Sequence, residues 1–169
     1  MTVHPRLGAL LLVFASSWGI ACHHHHGEPS ELEATTRRDS SSGIVSITGT
    51  SFEQHIILRT GDGELALTAR ARDSAALSRV GGTSVLVRGR ARGKHFYVVS
   101  FTVTSVDGAP VADGVLANDS GHLVLQSANG QITLGNPPAA LDSLVGARVW
   151  ISGPLDTGPN SYGVIAPAR

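Results

Sequence analysis

The chain has 169 residues, 41% of them hydrophobic and only 15% charged, and its 13 Lys and Arg balance 13 Asp and Glu to a formal net charge of zero. A single cysteine leaves no intrachain disulfide and no thiolate cluster for a zinc-type site. Short apolar runs broken by 20 glycines fit a soluble β-rich fold rather than a helical one.

His4 and Arg6 make a weakly positive start, residues 7–14 are apolar, and residues 15–21 are rich in small side chains. This is the three-part pattern of a secretory signal, with an apolar part shorter than the about 20 residues that span a bilayer. Cys22 follows in SWGIAC. Ile20, Ala21 and Cys22 resemble the lipobox of bacterial lipoproteins, although Gly19 stands where that family usually has an aliphatic residue. The resemblance implies an exported chain cut after residue 21, lipidated on Cys22 and held at a membrane of the cell envelope. Without the lipid, Cys22 would be an unpaired thiol in an oxidising compartment.

Residues 22–42 read as a disordered tether, because a polar stretch with no apolar period buries too little surface to offset its ordering entropy. Its run of His23, His24, His25 and His26 offers imidazoles to Zn, Cu or Ni. No carboxylate or thiolate is fixed beside them, so the run reads first as a hydrophilic spacer, and no cofactor is expected.

A first module is expected over 43–107. GIVSITGTSF is a strand broken at Gly49, and HIILRT a strand with Ile56 and Leu58 on one face. Gly61-Asp62-Gly63 is read as a tight primed turn, since Asp and Gly tolerate positive φ. ELALTARA returns with Leu65, Leu67 and Ala69 inward. DSAALSRVGG is a short helix, capped by Asp73 or Ser74, burying Leu77 and Val80 and stopped by Gly81-Gly82. SVLVRGRA and HFYVVSFTVTSV are two further strands. Residues 108–113 read as a linker to a second module over 114–167. There GVLAND, HLVLQS and QITL are strands, the latter two flanking Asn129-Gly130, and PPAALDSL is a helix-like connector opened by Pro137-Pro138. ARVWISG and SYGVIAP complete it.

The two modules are copies. Residues 55–67 align with 122–134, matching His55 to His122, Leu58 to Leu125 and Gly63 to Gly130. Residues 77–89 align with 141–153, matching Leu77 to Leu141, Val85 to Val149 and Gly89 to Gly153. A repeat of this length decides the architecture before any single residue does. The order in each copy, three strands, a short helix and two strands, resembles the OB-fold, a five-stranded Greek-key barrel. The expectation is therefore an all-β protein with one short helix per repeat and two tandem OB-like barrels. More narrowly, it is similar to bacterial exported lipoproteins of unknown function that carry small OB-like domains.

OB-folds bind oligonucleotides and oligosaccharides on the outer face of strands two and three. Alternation sends His55, Ile57, Arg59, Glu64, Ala66, Thr68 and Arg70 outward in the first copy, and His122, Val124, Gln126, Gln131 and Thr133 in the second. Neither face carries an aromatic platform, which argues against single-stranded nucleic acid. His55, Arg59, Thr68, Arg70 and Gln126 are the candidate contacts for a small ligand or glycan. Arg88, Arg90, Arg92 and Lys94 alternate at the end of the fourth strand. Between residues 43 and 105 there are eight basic and four acidic residues, against two and three between 114 and 169, so the balance is +4 against −1. The basic cluster reads as a solvated row that deters strand edges from pairing, or as a contact for an anionic surface or an acidic partner. No catalytic motif is found. The expected function is a non-catalytic envelope lipoprotein whose partners are the membrane, through Cys22, and an envelope protein or anionic surface. A small-ligand or oligosaccharide binder is the alternative, ahead of metal handling or nucleic-acid binding.

Overall fold

The computed structural model describes residues 39–50 and 53–168. Cys22 and His23 to His26 lie outside them. The first strand is β1 (Asp39–Gly49), so the residues read as the end of the tether already belong to a ladder. Asp39–Ile44 pairs with one neighbour and Ile44–Gly49 with another. Gly43 sits at the crossing, where a Cβ would collide with the Arg59 carbonyl oxygen. Only glycine lets the two backbones approach so closely.

β2 (Gln54–Thr60) and β3 (Gly63–Thr68) form a hairpin, α1 (Ala71–Arg79) follows, and β4 (Ser84–Arg92) and β5 (His95–Val106) form a second hairpin. β1 pairs with β2, β2 with β3, β3 with β5, β5 with β4 and β4 with β1, which closes a five-stranded barrel. All pairings are antiparallel except β3–β5, which runs parallel from Ala66–His95 to Thr68–Tyr97. The inward set is the one period two predicts: Val45, Ile56, Leu58, Leu67, Val85, Val87, Phe96 and Val98 are all buried. Leu77 and Val80 close one end of this core. The helix begins at Ala71 with Arg70 as its N-cap and no side-chain cap bond, so neither Asp73 nor Ser74 caps it.

The second copy comprises β6 (Ala109–Asp119), β7 (His122–Ser127), β8 (Gly130–Thr133), a 3-10 helix (Ala139–Leu144), β9 (Arg148–Ser152) and β10 (Ser161–Ala166). Its likeness to the first extends to single hydrogen bonds. Thr60 Oγ1 donates to the Gly63 carbonyl at 2.9 Å and accepts the Asp62 N–H at 3.2 Å; Ser127 Oγ does the same with Gly130 and Asn129 at 2.8 and 3.2 Å. Gly82 N–H donates to the Val45 carbonyl, and Gly146 N–H to that of Leu116, each at 2.8 Å. These side-chain-to-backbone turns replace the primed turns expected there, since neither Asp62 nor Asn129 has a positive φ. Successive left-handed residues occur instead at Asp107-Gly108 and Ser120-Gly121.

The copies differ in closure. The second has the order β10-β9-β6-β7-β8, and among the described residues no ladder joins β8 to β10. Against the expectation of two tandem barrels, the first copy is a closed barrel and the second is a five-stranded sheet. Where Ala66 N–H donates to the Lys94 carbonyl in the first copy, Gly135 N–H donates to the Leu155 carbonyl in the second. That carbonyl belongs to the long β9–β10 loop.

The segment read as a linker is not one. Asp107-Gly108 is a two-residue turn that joins β5 directly to β6. β6 carries Asp113, whose side chain is 3% exposed, beside Arg148 of β9. Arg148 donates to both Asp113 carboxylate oxygens at 2.7 Å and to the Phe101 carbonyl at 2.6 Å. Asp113 also accepts the Val103 N–H at 2.8 Å, and the Arg148 guanidinium stacks 4.4 Å from the Phe101 ring centre. Phe101 and Val103 belong to the first copy, so one ion pair of the second is satisfied by the first. Trp150 packs against the first core and covers Gly163, where a Cβ would lie 2.5 Å from its indole nitrogen.

Candidate functional site

On the outer face of β2 and β3, His55, Arg59, Thr68 and Arg70 are all exposed. The register spreads them: Thr68 lies one step past the Ile56–Leu67 pair, level with His55, whereas Arg59 pairs with Glu64 near the turn. Arg59 Nε stands 3.1 Å from Glu64 Oε1, so its charge is partly answered within the hairpin. His55 Nε2 is 3.8 Å from Glu53 Oε1, with both side chains exposed. Arg70 leaves the sheet as the residue before α1. Gln126 occupies the equivalent of Arg59 in the second copy and is exposed, while Val124, expected outward beside it, is buried. These five residues do not converge on one point. A shallow depression at the barrel end opposite α1 is lined by Thr60, Asp62, Glu64, Lys94 and His95.

The face of β4 and β5 is more concentrated. Arg88, Arg90 and Arg92 are exposed, while Val85, Val87 and Gly89 are buried between the outward positions. Alternate residues on a strand stand about 7 Å apart, so the three form a straight row. Arg88 pairs with Ser100, Arg90 with Tyr97 and Arg92 with His95. Tyr97 is 46% exposed and Val99 69%. The register skips Val99 between Ser100 and Val98, making it the extra residue of a β-bulge. Gly89 permits the bulge, since a Cβ there would collide with the Tyr97 carbonyl oxygen. Among the described residues none of the three arginines forms an ion pair. Lys94 is exposed but lies in the turn after β4, apart from the row.

This register bears on why the arginines are there. β4 is hydrogen-bonded on one side to β1 over Ser84–Gly89 and on the other to β5 along its length. It is an interior strand of a closed barrel, so guarding a strand edge does not account for Arg88. The aromatic sought on the β2–β3 face is on β5 instead. Period two would have placed Tyr97 outward, opposite to Phe96, but only the pairing shows that it lies across from Arg90.

Among the described residues no group of three or more His, Cys, Asp and Glu side chains is placed to hold a metal ion. Among them, too, no helix is long and apolar enough to cross a membrane. No family model matches the chain, and no curated protein matches it. Among solved structures it is similar to that of TiaS in complex with an isoleucine tRNA and ATP, with 9% identity, a TM-score of 0.33 and coverage of 78% of this chain. The chain spans 31% of the length of that protein.

Proposed function

We propose that this protein is a non-catalytic interaction module of the cell envelope, a lipoprotein held through Cys22 that meets a partner protein or surface with the outer face of β4 and β5. The observation that carries the reading is the joint exposure of Arg88, Arg90, Arg92, Tyr97 and Val99 on hydrogen-bonded strands. Arginine and tyrosine are the residue types enriched where proteins bind, and a rigid sheet presents them at little entropic cost. The strand order β1-β2-β3-β5-β4, with α1 between the third and fourth strands, supports the OB-like reading of the first copy. A photo-cross-linking residue placed at Val99, compared with one at Gln126, tests the assignment in cells. Adducts from Val99 alone are expected. Adducts confined to Gln126 would overturn it.

A second reading is favoured by the depression where Thr60, Asp62, Glu64, Lys94 and His95 stand beside Ile57, Leu65 and Ala66. A small ligand or glycan seated there would shift the amide resonances of Glu64 and Lys94. The same titration leaves Val99 unmoved.

A further inference from the structure

We infer that the Arg88–Arg90–Arg92 face lies against the anionic headgroups of the membrane that holds Cys22. The inference rests on the lipoprotein reading and names the surface that the module meets. Three observations lead to it. The first is charge: three exposed arginines stand in a row with no ion-pair partner among the described residues, and residues 43–105 hold eight basic side chains against four acidic ones in a chain whose net charge is zero. Juxtamembrane basic residues are attracted to an anionic leaflet within about a Debye length, some 8–10 Å.

The second is where the tether joins the fold. Asp39, the first residue of β1, pairs with Gly89, between Arg88 and Arg90, and its carboxylate accepts the Ala91 N–H at 3.0 Å. Ser40 pairs with Arg88 itself. The chain therefore leaves the barrel one strand spacing, about 5 Å, from the arginine row. Arg37 and Arg38 immediately precede that point in the sequence. Between Cys22 and Asp39 lie 16 residues (39 − 22 − 1). Sixteen residues reach at most about 55 Å even when fully extended, so a barrel anchored at Cys22 stays within that distance of the bilayer. The chain thus joins the barrel on the side that bears the arginine row.

The third is the company the arginines keep. Tyr97 presents an amphipathic ring and Val99 an apolar side chain on the same hairpin. Tyrosine settles at the boundary between headgroups and hydrocarbon, where one end of its ring is apolar and the other wet. Asp39 is the acidic group beside the row, and its carboxylate is already engaged by the Ala91 amide.

The test uses the full mature chain with Cys22→Ser, so that no lipid contributes. Co-sedimentation is measured with vesicles of phosphatidylglycerol and phosphatidylcholine in equal parts, and with vesicles of phosphatidylcholine alone. The glutamates of the tether are common to every protein compared. The chain is expected to bind the anionic vesicles selectively and to release with added salt. A triple Arg88→Gln, Arg90→Gln, Arg92→Gln variant is expected to lose about a hundred-fold in affinity, at roughly five-fold per arginine. Its thermal unfolding should match that of the parent, since all three side chains are exposed. Equal binding to both vesicles, an unaffected triple variant, or binding to an acidic protein or oligonucleotide but not to vesicles would each overturn the inference. The anchor is read separately from the mass of the exported protein. A mass without lipid on Cys22 ends the claim that tether and face share a membrane, whereas the vesicle result judges the face alone.

Discussion

The two copies share hairpins, turn bonds and core positions, yet one closes and the other does not, and strand length explains why. In the first copy β4 and β5 run for 9 and 12 residues, joined by the short turn at Gly93-Lys94. The start of β5 therefore reaches β3 and pairs with it. In the second copy β9 and β10 have 5 and 6 residues and are separated by residues 153–160. That loop contains Pro154 and Pro159, which have no N–H to give to a ladder. Leu155 to Thr157 lie beside Gly135 and Asn136, just past the end of β8, and the seam is held by the backbone bond from Gly135 and by the Asn136 side chain, which donates to the Thr157 carbonyl at 3.2 Å. Closure thus depends less on the repeated residues than on how far one hairpin extends. The longer hairpin of the first copy is also the one that bears the arginine row.

Equivalent core truncations are the most damaging way to probe this difference. Leu58 and Leu125 are both fully buried and occupy matching positions. Leu58→Ala should cost about 4 kcal/mol and Leu125→Ala about 3 kcal/mol, because the open seam lets the second core collapse further around the void. Chemical denaturation of both variants measures the gap, and equal losses would mean that the seam is as stiff as the ladder. Next comes the joint between the copies. Asp113→Ala strands Arg148 and frees the Val103 amide, at a cost of about 3 kcal/mol. It should also split a single cooperative unfolding transition into two, seen by calorimetry. The smallest effect is expected at the seam. A Cβ at Gly135 would collide with the Asp156 carbonyl, so Gly135→Ala should lift the loop. The global cost would be about 1 kcal/mol, with faster hydrogen exchange confined to β8 and the loop. Protection of β3 should not change.

Much of this was legible in the residues. The repeat, the hairpins, the inward alternation of Ile56, Leu58 and Leu67, and the burial of Leu77 and Val80 all followed from period and turn chemistry. The linker misled because Asp107-Gly108 and Pro110 read as irregular chain, although Asp-Gly between apolar runs is equally a hairpin signal. Proline is tolerated there because β6 begins at Ala109. Missing that strand also hid Asp113, and the partner Arg148 lies 35 residues away, beyond any local pattern. Second-copy closure was not legible because matching residues do not encode hairpin reach. At the candidate site the arginine row was visible in the sequence as a period-two run. Its setting was not, because that depends on which strands flank β4, and Tyr97 was passed over when only the β2–β3 face was searched.

The division of β1 between two neighbours has a mechanical consequence. A pull on the chain ahead of Asp39 acts along the axis of β1. That strand is stitched to β4 over its first half and to β2 over its second, with Ile44 shared by both. Such a load shears many backbone bonds together instead of opening them one after another. The end of the molecule that would take the strain of a tether is therefore the end built to resist it.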